Sequence, residues 1–288
     1  MSCFQVRTDL ALEARESIGE AEGEIRGVSV EETYDEENEI RVTRVIIETK
    51  NGAKAMGKPI GIYTTLEAPG MVEPDENYHQ EISTALAKEL KNIIPEADKE
   101  KSVLVVGLGN RDVTADALGP HVADNLFVTR HVVREYGKAA YNKDRMHMVS
   151  SIVPGVMAKT GMESAEIIKG VVDQTKPDVV IVVDALAARS TKRLNRTIQV
   201  TNTGIHPGSG VGNHRNALTE ESLEVPVIAI GVPTVVDAAT IVNDAVAGEV
   251  KVNLSELNNM YVTSKDVDYQ IKQISHVICD AINEALEL

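Results

Sequence analysis

The sequence predicts an α/β protein whose mixed, largely parallel sheet is sandwiched by helices, with an antiparallel β-rich layer at the N-terminus. Strand-like apolar runs alternate with helix-like segments between residues 102 and 183, a pattern typical of parallel strands joined by helices. Hydrophobic residues make up 43% of the chain but aromatic residues only 3%, and Trp is absent. An aliphatic core of this kind is typical of parallel sheets buried under helices.

The N-terminal residues show a different pattern. Asp9 is placed to cap a helix at 10–20. Valines and isoleucines then alternate with charged residues at 25–34 and 40–49, which predicts an antiparallel hairpin with one solvated face. Asn51-Gly52 is a tight-turn signal, and 60–66 predicts another strand.

The rest of the chain predicts the α/β core. Apolar residues at helical spacing predict a helix from 77 to Pro95. Further strands are predicted at 102–108, 146–152, 179–183, 197–202 and 225–230, and further helices at 117–136, 163–175, 237–247 and 267–286. Since no flexible linker is evident, we expect 10–288 to form one domain, with a β-rich part at 10–75 and an α/β core at 76–288.

Charge and cysteine content exclude several classes of function. The formal net charge of −15 argues against direct binding to nucleic acid or anionic membranes, because phosphate contacts need clusters of Lys and Arg. The cysteines, Cys3 and Cys279, form no metal-binding pattern. The apolar runs have the length of strands, and the N-terminus does not resemble a signal peptide, so we expect a cytoplasmic protein.

The stretch 101–120, KSVLVVGLGNRDVTADALGP, leads from a buried strand through a glycine turn and an acidic loop into a helix. Gly107, Gly109 and Asn110 form a turn whose backbone a ligand can approach closely. A dinucleotide site is not expected, because Asp112 stands where the fingerprint needs a third glycine. In open α/β sheets, the loops at the carboxyl ends of the strands carry the chemistry.

Two carboxylates stand where catalytic groups are expected. Asp116 lies in the loop after the first core strand, and Asp184 directly follows the apolar run 179–183. If the two strands are neighbours, both side chains face one crevice, where two close carboxylates share a proton and can activate water and polarise a carbonyl. The alternative is that each aspartate only caps the helix that follows it.

A second constellation is the glycine-rich loop 203–215, TGIHPGSGVGNHR. With its four glycines and a proline it cannot form a regular element, and we interpret it as a substrate-binding lid with His206, Gly208, Gly210 and His214. The alternative is a divalent metal held by the histidines and an aspartate. A serine nucleophile is disfavoured because no Gly-x-Ser-x-Gly elbow is present.

Four motifs in order carry a family resemblance: GLGNRDVTADALGP, VVDALAARS, TGIHPGSGVGN and GVPTVVDA. Together they resemble the germination protease family of spore-forming bacteria. The resemblance implies an atypical aspartic endopeptidase that degrades small acid-soluble spore proteins in the spore core, with a fold like that of hydrogenase maturation proteases. It also implies that Asp116 and Asp184 are the catalytic pair, that no cofactor is needed, and that the protein is a homo-oligomer (tetramer).

The resemblance further implies a zymogen that removes its own leader at a site similar to its substrates. Thr8-Asp9-Leu10-Ala11 fits, with an acidic residue before the cut and an apolar residue and Ala after it. We therefore predict cleavage between Asp9 and Leu10, which makes 1–9 a propeptide. Arg189, Lys192 and Arg193 are the candidates for binding the acidic residue before the cut.

Two other classes of function remain open at this point. One is a metal-dependent processing protease of the hydrogenase maturation type, which would use His206 or His214. The other is a non-enzymatic binder of small ligands that uses the backbone of 107–110 as an anion nest.

Overall fold

A computed structural model describes residues 8–18, 25–97, 100–141, 145–206, 216–245, 257 and 260–288. Within these residues, nine strands form a single sheet in the order β1-β2-β3-β7-β8-β6-β4-β5, with β9 paired to β8. The strands are β1 Val28–Asp35, β2 Ile40–Ile47, β3 Gly61–Glu67, β4 Ser102–Gly107, β5 Met148–Ile152, β6 Val179–Ala188, β7 Thr197–Thr201, β8 Val227–Asp237 and β9 Tyr261–Val262. The prediction of a mixed α/β protein is confirmed.

Ten α-helices accompany the sheet in the described part of the chain. They are α1 Ala11–Ile18, α2 Lys50–Met56, α3 Glu76–Ile93, α4 Leu118–Asn125, α5 Arg130–Tyr136, α6 Met157–Thr160, α7 Ser164–Thr175, α8 Glu220–Leu223, α9 Ala238–Ala245 and α10 Val267–Ala285. Within the same residues, no helix combines the length and apolar character needed to cross a membrane.

The four parallel strands β5, β4, β6 and β8 form the core of the sheet. Alternate residues of β4 and β6 face opposite sides, as the period of a strand requires. Val105 and Ile181 pack with apolar residues of α3, α4 and α10, whereas Val106 and Val182 pack with apolar residues of α7 and α8. Helices therefore cover both faces, which explains why these strands are apolar along almost their whole length.

The N-terminal strands β1, β2 and β3 are antiparallel, as predicted. They extend the same sheet, however, instead of forming a layer of their own, because β3 pairs with β7, which in turn pairs with β8. The expected boundary near residue 75 is therefore crossed by a continuous hydrogen-bonded ladder. This continuity places β3 and the residues before it close to the carboxyl ends of the parallel strands.

Three local predictions were wrong. The helix predicted at 117–136 is divided into α4 and α5, because the buried Thr129 hydroxyl donates to His147 O (2.6 Å) and accepts from Val149 N (2.9 Å), which ties the chain to β5. Asn51-Gly52 lies inside α2, where the side chain of Thr49 caps the helix by accepting from Gly52 N. The third error concerns the lengths of two strands: β6 continues past residue 183 to Ala188 and β8 continues past residue 230 to Asp237, because the two strands pair side by side as far as Ala188 and Val236.

Candidate active site

A cavity of about 460 Å³ lies where β4 and β6 meet the loops that follow them. Asp116 and Asp184 both line it. The other residues around it come from β3, β7, β8 and β9, from α7, and from the segments before α1, before β3 and after β7, so strands from both halves of the sheet contribute to one crevice. This is the position at which open α/β sheets bind ligands.

The loop that carries Asp116 is closed by its own backbone. Asn110 N donates both to Asp116 O (2.9 Å) and to Asp116 Oδ2 (3.0 Å). Gly109 has a φ of +121°, and a Cβ there would lie 1.9 Å from Asp116 O, so this turn requires glycine. On the other side of the loop, the Thr234 hydroxyl of β8 donates to Ala115 O (2.6 Å).

Gly107 and Gly119 allow β4, α4 and β6 to approach one another. A Cβ on Gly107 would lie 2.1 Å from Gly119 O, and a Cβ on Gly119 would lie 2.5 Å from Val183 O. Leu108 N also donates to Val183 O (2.9 Å). The loop that leads to Asp116 is thereby held against β6 at the residue before Asp184, and this contact brings both aspartates to the same cavity.

Asp184 lies inside β6 and not after its end. Its side chain is buried, and its Oδ1 accepts from Ala185 N (3.0 Å). Because the chain continues as a strand through Ala188, no helix begins at Ala185, and the alternative that Asp184 is a helix cap is wrong. A buried carboxylate within a strand, at the wall of a cavity, is a candidate functional group.

The segment before α1 enters this cavity. Asp9 N donates to Ala187 O (3.2 Å), and Ala187 N donates to Asp9 Oδ2 (3.0 Å). These bonds lie three residues beyond Asp184, past the last β4–β6 pair at Gly107 and Val183. The carbonyl oxygen of Asp9 accepts from Lys58 Nζ (2.8 Å) and from Gln199 Nε2 (3.4 Å).

The residues that follow Asp9 are buried in separate contacts. Leu10 is fully buried among apolar residues that include Leu186, Ala188 and Val236. Ala11 is also fully buried, in a cluster with residues of β2, α2 and β3, and its N–H donates to Gln199 Oε1 (2.6 Å). The segment is therefore held on both sides of the Asp9–Leu10 peptide bond.

Glu13 ends the docked segment. It is only 2% exposed, and its carboxylate accepts from Arg189 N (2.8 Å), Ser190 N (3.0 Å) and the Thr8 hydroxyl. The guanidinium of Arg193 lies 3.5 Å away. Burial opposes the charge of Arg193, but hydrogen bonds to Glu16 and Glu67 outweigh it and raise the pKa of the guanidinium above its usual value.

The predicted binding residues therefore have the following positions. Arg189 and Arg193 contact Glu13, and the backbone N–H of Lys192 donates to Ser190 Oγ (3.3 Å). Their role toward the acidic residue before the cut stays a prediction. His206 is exposed and lines the cavity. Gly208, Gly210 and His214 lie outside the described residues.

The alternative of a metal site concerns the histidines of the glycine-rich loop, and the structure describes only part of that loop. Among the residues that the structure describes, no group of three or more His, Cys, Asp or Glu side chains is arranged to hold an ion. His214, which that alternative invoked, lies outside the described residues, so the alternative stays a prediction.

Sequence reasoning missed Lys58, Gln199 and Thr234. Lys58 is one of three lysines in the stretch 50–58, and only the pairing of β3 with β7 brings it to the cavity. Burial lowers the pKa of Lys58, against the opposing effect of Asp9 and Glu13. Thr234 lies within the GVPTVVDA motif, which carries part of the family resemblance, but the motif alone did not single out Thr234 as a residue of the site.

Comparison with known proteins gives a consistent result. The model of the germination protease family matches residues 6–257. The germination protease of Caldanaerobacter subterraneus subsp. tengcongensis is 49% identical, over 98% of this chain and 94% of the relative. That of Clostridium perfringens is 44% identical, over 99% and 96%, and that of Bacillus cytotoxicus is 47% identical, over 85% and 67%. Among solved structures, the [NiFe] hydrogenase maturation protease HycI of Thermococcus kodakarensis aligns with 69% of this chain and 99% of its own, at 16% identity and a TM-score of 0.36.

Proposed function

The chain belongs to the germination protease family, and on that premise we propose that it is an endopeptidase that begins the degradation of small acid-soluble spore proteins during germination. The name of its relatives supports a protease role in germination. The substrate class, the spore-core location and a homo-oligomeric state come from the family resemblance. We also propose that the chain is a zymogen that cuts itself between Asp9 and Leu10.

One observation carries this proposal: the chain's own segment 8–13 docks at the cavity in the manner of a bound peptide, and Asp9 lines the cavity itself. Asp9 meets β6 through one main-chain hydrogen bond, of the kind that joins an added strand to a sheet, and through its side-chain carboxylate. Leu10 and Ala11 are fully buried in separate apolar contacts. An acidic residue, a large apolar residue and Ala thus occupy successive positions, the order expected around the cut in the substrates.

The proposed reaction is direct attack by water. One of the carboxylates of Asp116 and Asp184 removes a proton from a water molecule, and the water oxygen bonds to the carbonyl carbon of Asp9. The C–N bond to Leu10 then breaks, and the leaving nitrogen takes up a proton from the protonated carboxyl group. One water is consumed, and the products are a carboxyl group at Asp9 and an amino group at Leu10, which become a carboxylate and an ammonium group when the carboxyl proton passes to the amine.

Self-cleavage of the full chain tests the proposal. The purified chain is incubated over a range of pH values, and its N-terminus is followed by intact mass and N-terminal sequencing. We expect a product that begins at Leu10, unchanged by a chelator and absent from the Asp116→Asn and Asp184→Asn variants. Asp173→Asn, on the exposed side of α7, serves as a matched control and should be cut like the wild type.

The result has clear contrary outcomes. Cleavage at another bond, or cleavage that persists in both aspartate variants, contradicts the two-aspartate proposal. Loss of cleavage on chelation transfers the chemistry to a metal ion. A peptide Thr-Glu-Phe-Ala-Ser-Glu, incubated with the processed protein, tests cleavage of a separate substrate, and we expect it to be cut after the Glu.

A further inference from the structure

Among the described residues, two side chains donate to the carbonyl group of the Asp9–Leu10 bond, and neither is an aspartate. Lys58 Nζ lies 2.8 Å from Asp9 O, and Gln199 Nε2 lies 3.4 Å from the same oxygen. Lys58 comes from the segment between α2 and β3, and Gln199 comes from β7. The two donors thus converge on one atom from elements other than those that carry Asp116 and Asp184.

The orientation of Gln199 is set by the docked chain. Its Oε1 accepts from Ala11 N at 2.6 Å, so its amide nitrogen is directed toward Asp9 O. The side chain is 7% exposed, and in that environment a misdirected amide would leave a polar group unsatisfied. One glutamine therefore contacts backbone groups on both sides of the bond to be cut, and it holds the carbonyl in place.

We propose that Lys58 is a catalytic residue that polarises the carbonyl of the scissile bond and stabilises the oxyanion formed when water attacks, with Gln199 as the second donor. This inference rests on the proposed cleavage after Asp9. As water bonds to the carbonyl carbon, the π electron pair moves onto the oxygen beside the ammonium group. When the C–N bond breaks, the pair returns to form the carbonyl, and Lys58 keeps its proton throughout.

A simpler role for Lys58 is that of a counter-ion to the acidic residue before the cut. The geometry favours the carbonyl role, because Lys58 Nζ donates to Asp9 O, while Asp9 Oδ2 accepts from Ala187 N. An oxyanion donor must lie at hydrogen-bonding distance from the position that the oxyanion will occupy, and Lys58 Nζ, 2.8 Å from the carbonyl oxygen before attack, lies beside that position. With Lys58 polarising the carbonyl group, Asp116 and Asp184 need only remove a proton from water and donate a proton to the leaving nitrogen.

Self-cleavage of the full chain separates the two roles. We expect Lys58→Met to lower the first-order rate constant by roughly 10²–10³-fold, the usual effect of losing one oxyanion donor. Lys58→Arg keeps a cationic donor and should recover part of the rate. Lys54→Met, which removes an exposed lysine of α2, is the matched control and should leave the rate unchanged.

A second background, the variant Asp9→Asn, removes the acidic side chain but keeps the carbonyl. If Lys58 polarises the carbonyl, Lys58→Met lowers the rate by a similar factor in the wild-type chain and in the Asp9→Asn chain. If Lys58 is only a counter-ion, Lys58→Met has no further effect in the Asp9→Asn chain, and that result overturns the proposal. Hydrogen exchange of segment 8–13 checks that each variant still docks its N-terminal segment.

The pH profile gives an independent readout. Asp9 and Glu13 are the charged groups that act on Lys58, and the cavity that Lys58 lines also holds the titratable side chains of Tyr63, Asp116, Asp184, His206 and Tyr261. Because burial lowers the pKa of Lys58, the wild-type rate should fall on the alkaline side below the ordinary lysine range, and Lys58→Arg should move that fall to higher pH. An identical alkaline limb in both proteins contradicts the role of Lys58. A wild-type chain that never cuts itself refutes the proposed self-cleavage instead, and with it this inference.

Discussion

The buried carboxylate of Glu13 should control how firmly the N-terminal segment docks. Glu13 accepts from Arg189 N and Ser190 N at 2.8 and 3.0 Å, and it is 2% exposed. A hydrogen bond to a charged group contributes about 1.5–3 kcal/mol. Glu13→Gln keeps one acceptor oxygen but loses the charge and leaves one N–H without an acceptor. We therefore expect docking to weaken by about 2–3 kcal/mol.

Hydrogen–deuterium exchange measures this loss directly. The background chain carries Asp116→Asn, which prevents self-cleavage under the proposed mechanism, and the exchange of segment 8–13 is followed by mass spectrometry. A loss of about 2–3 kcal/mol corresponds to exchange that is roughly 30–150 times faster. The matched control is Glu16→Gln, since Glu16 contacts the same Arg193 but its side chain is 53% exposed. Exposed ion pairs contribute less than about 1 kcal/mol, so this change should accelerate exchange by less than about fivefold.

The reasoning fails if Glu13→Gln leaves exchange in segment 8–13 within a factor of about three of the parent chain. It also fails if Glu16→Gln accelerates exchange as much as Glu13→Gln does. The first result would mean that the two backbone N–H groups do not hold the segment. The second would mean that the charge of Arg193 matters more than burial.

Three further predictions concern the fold. Gly119→Ala places a Cβ 2.4–2.5 Å from two backbone oxygens and should lower the free energy of unfolding by roughly 3 kcal/mol or more. Gly170→Ala, in open space on α7, should raise the free energy of unfolding by about 0.5–1 kcal/mol. Thermal unfolding measures both, and equal effects of the two substitutions would contradict the packing argument. Burial raises the pKa of Cys279 to about 11. In a Cys3→Ser chain the Cys279 thiol should therefore resist a thiol reagent at about pH 8 until the protein is denatured, and rapid labelling of the native protein would contradict this. Burial lowers the pKa of His147, so its contribution to stability is complete above the unfolded-state pKa of about 6.5 and is lost as the pH falls below it. Urea unfolding over a range of pH should therefore show a smaller loss of the free energy of unfolding at acid pH in His147→Gln than in the wild type.

The position of Asp116 could be predicted from sequence because local signals determine it. A β-branched run, a glycine turn and an acidic loop follow one another without interruption, and the structure keeps that order. For Asp184, the sequence predicts the edge of the sheet at which the residue lies, but it predicts a position after the strand, whereas Asp184 lies inside β6. The run 179–183 looked complete because a carboxylate follows it, while the continuation to Ala188 depends on its pairing with β8.

Lys58 and Gln199 could not be predicted because no local pattern distinguishes them. Lys58 reaches the cavity through the pairing of β3 with β7, and that pairing joins segments more than a hundred residues apart. The N-terminal strands were recognised as antiparallel from their alternation. Their alternation does not indicate which strand they join, so the continuous sheet was also not foreseen.

If the chain cuts itself after Asp9, as proposed, the burial of Leu10, Ala11 and Glu13 has a consequence for the processed protein. The proposed cleavage would free the residues before the cut, but the new N-terminus would remain attached to the protein and would still fit the contacts that held it. A tethered segment has an effective concentration on the order of millimolar, so it acts as a built-in competitor for every incoming polypeptide. Turnover of separate substrates should therefore be governed by how readily the start of α1 lifts away, and substitutions that loosen it should lower KM while leaving the chemical step unchanged.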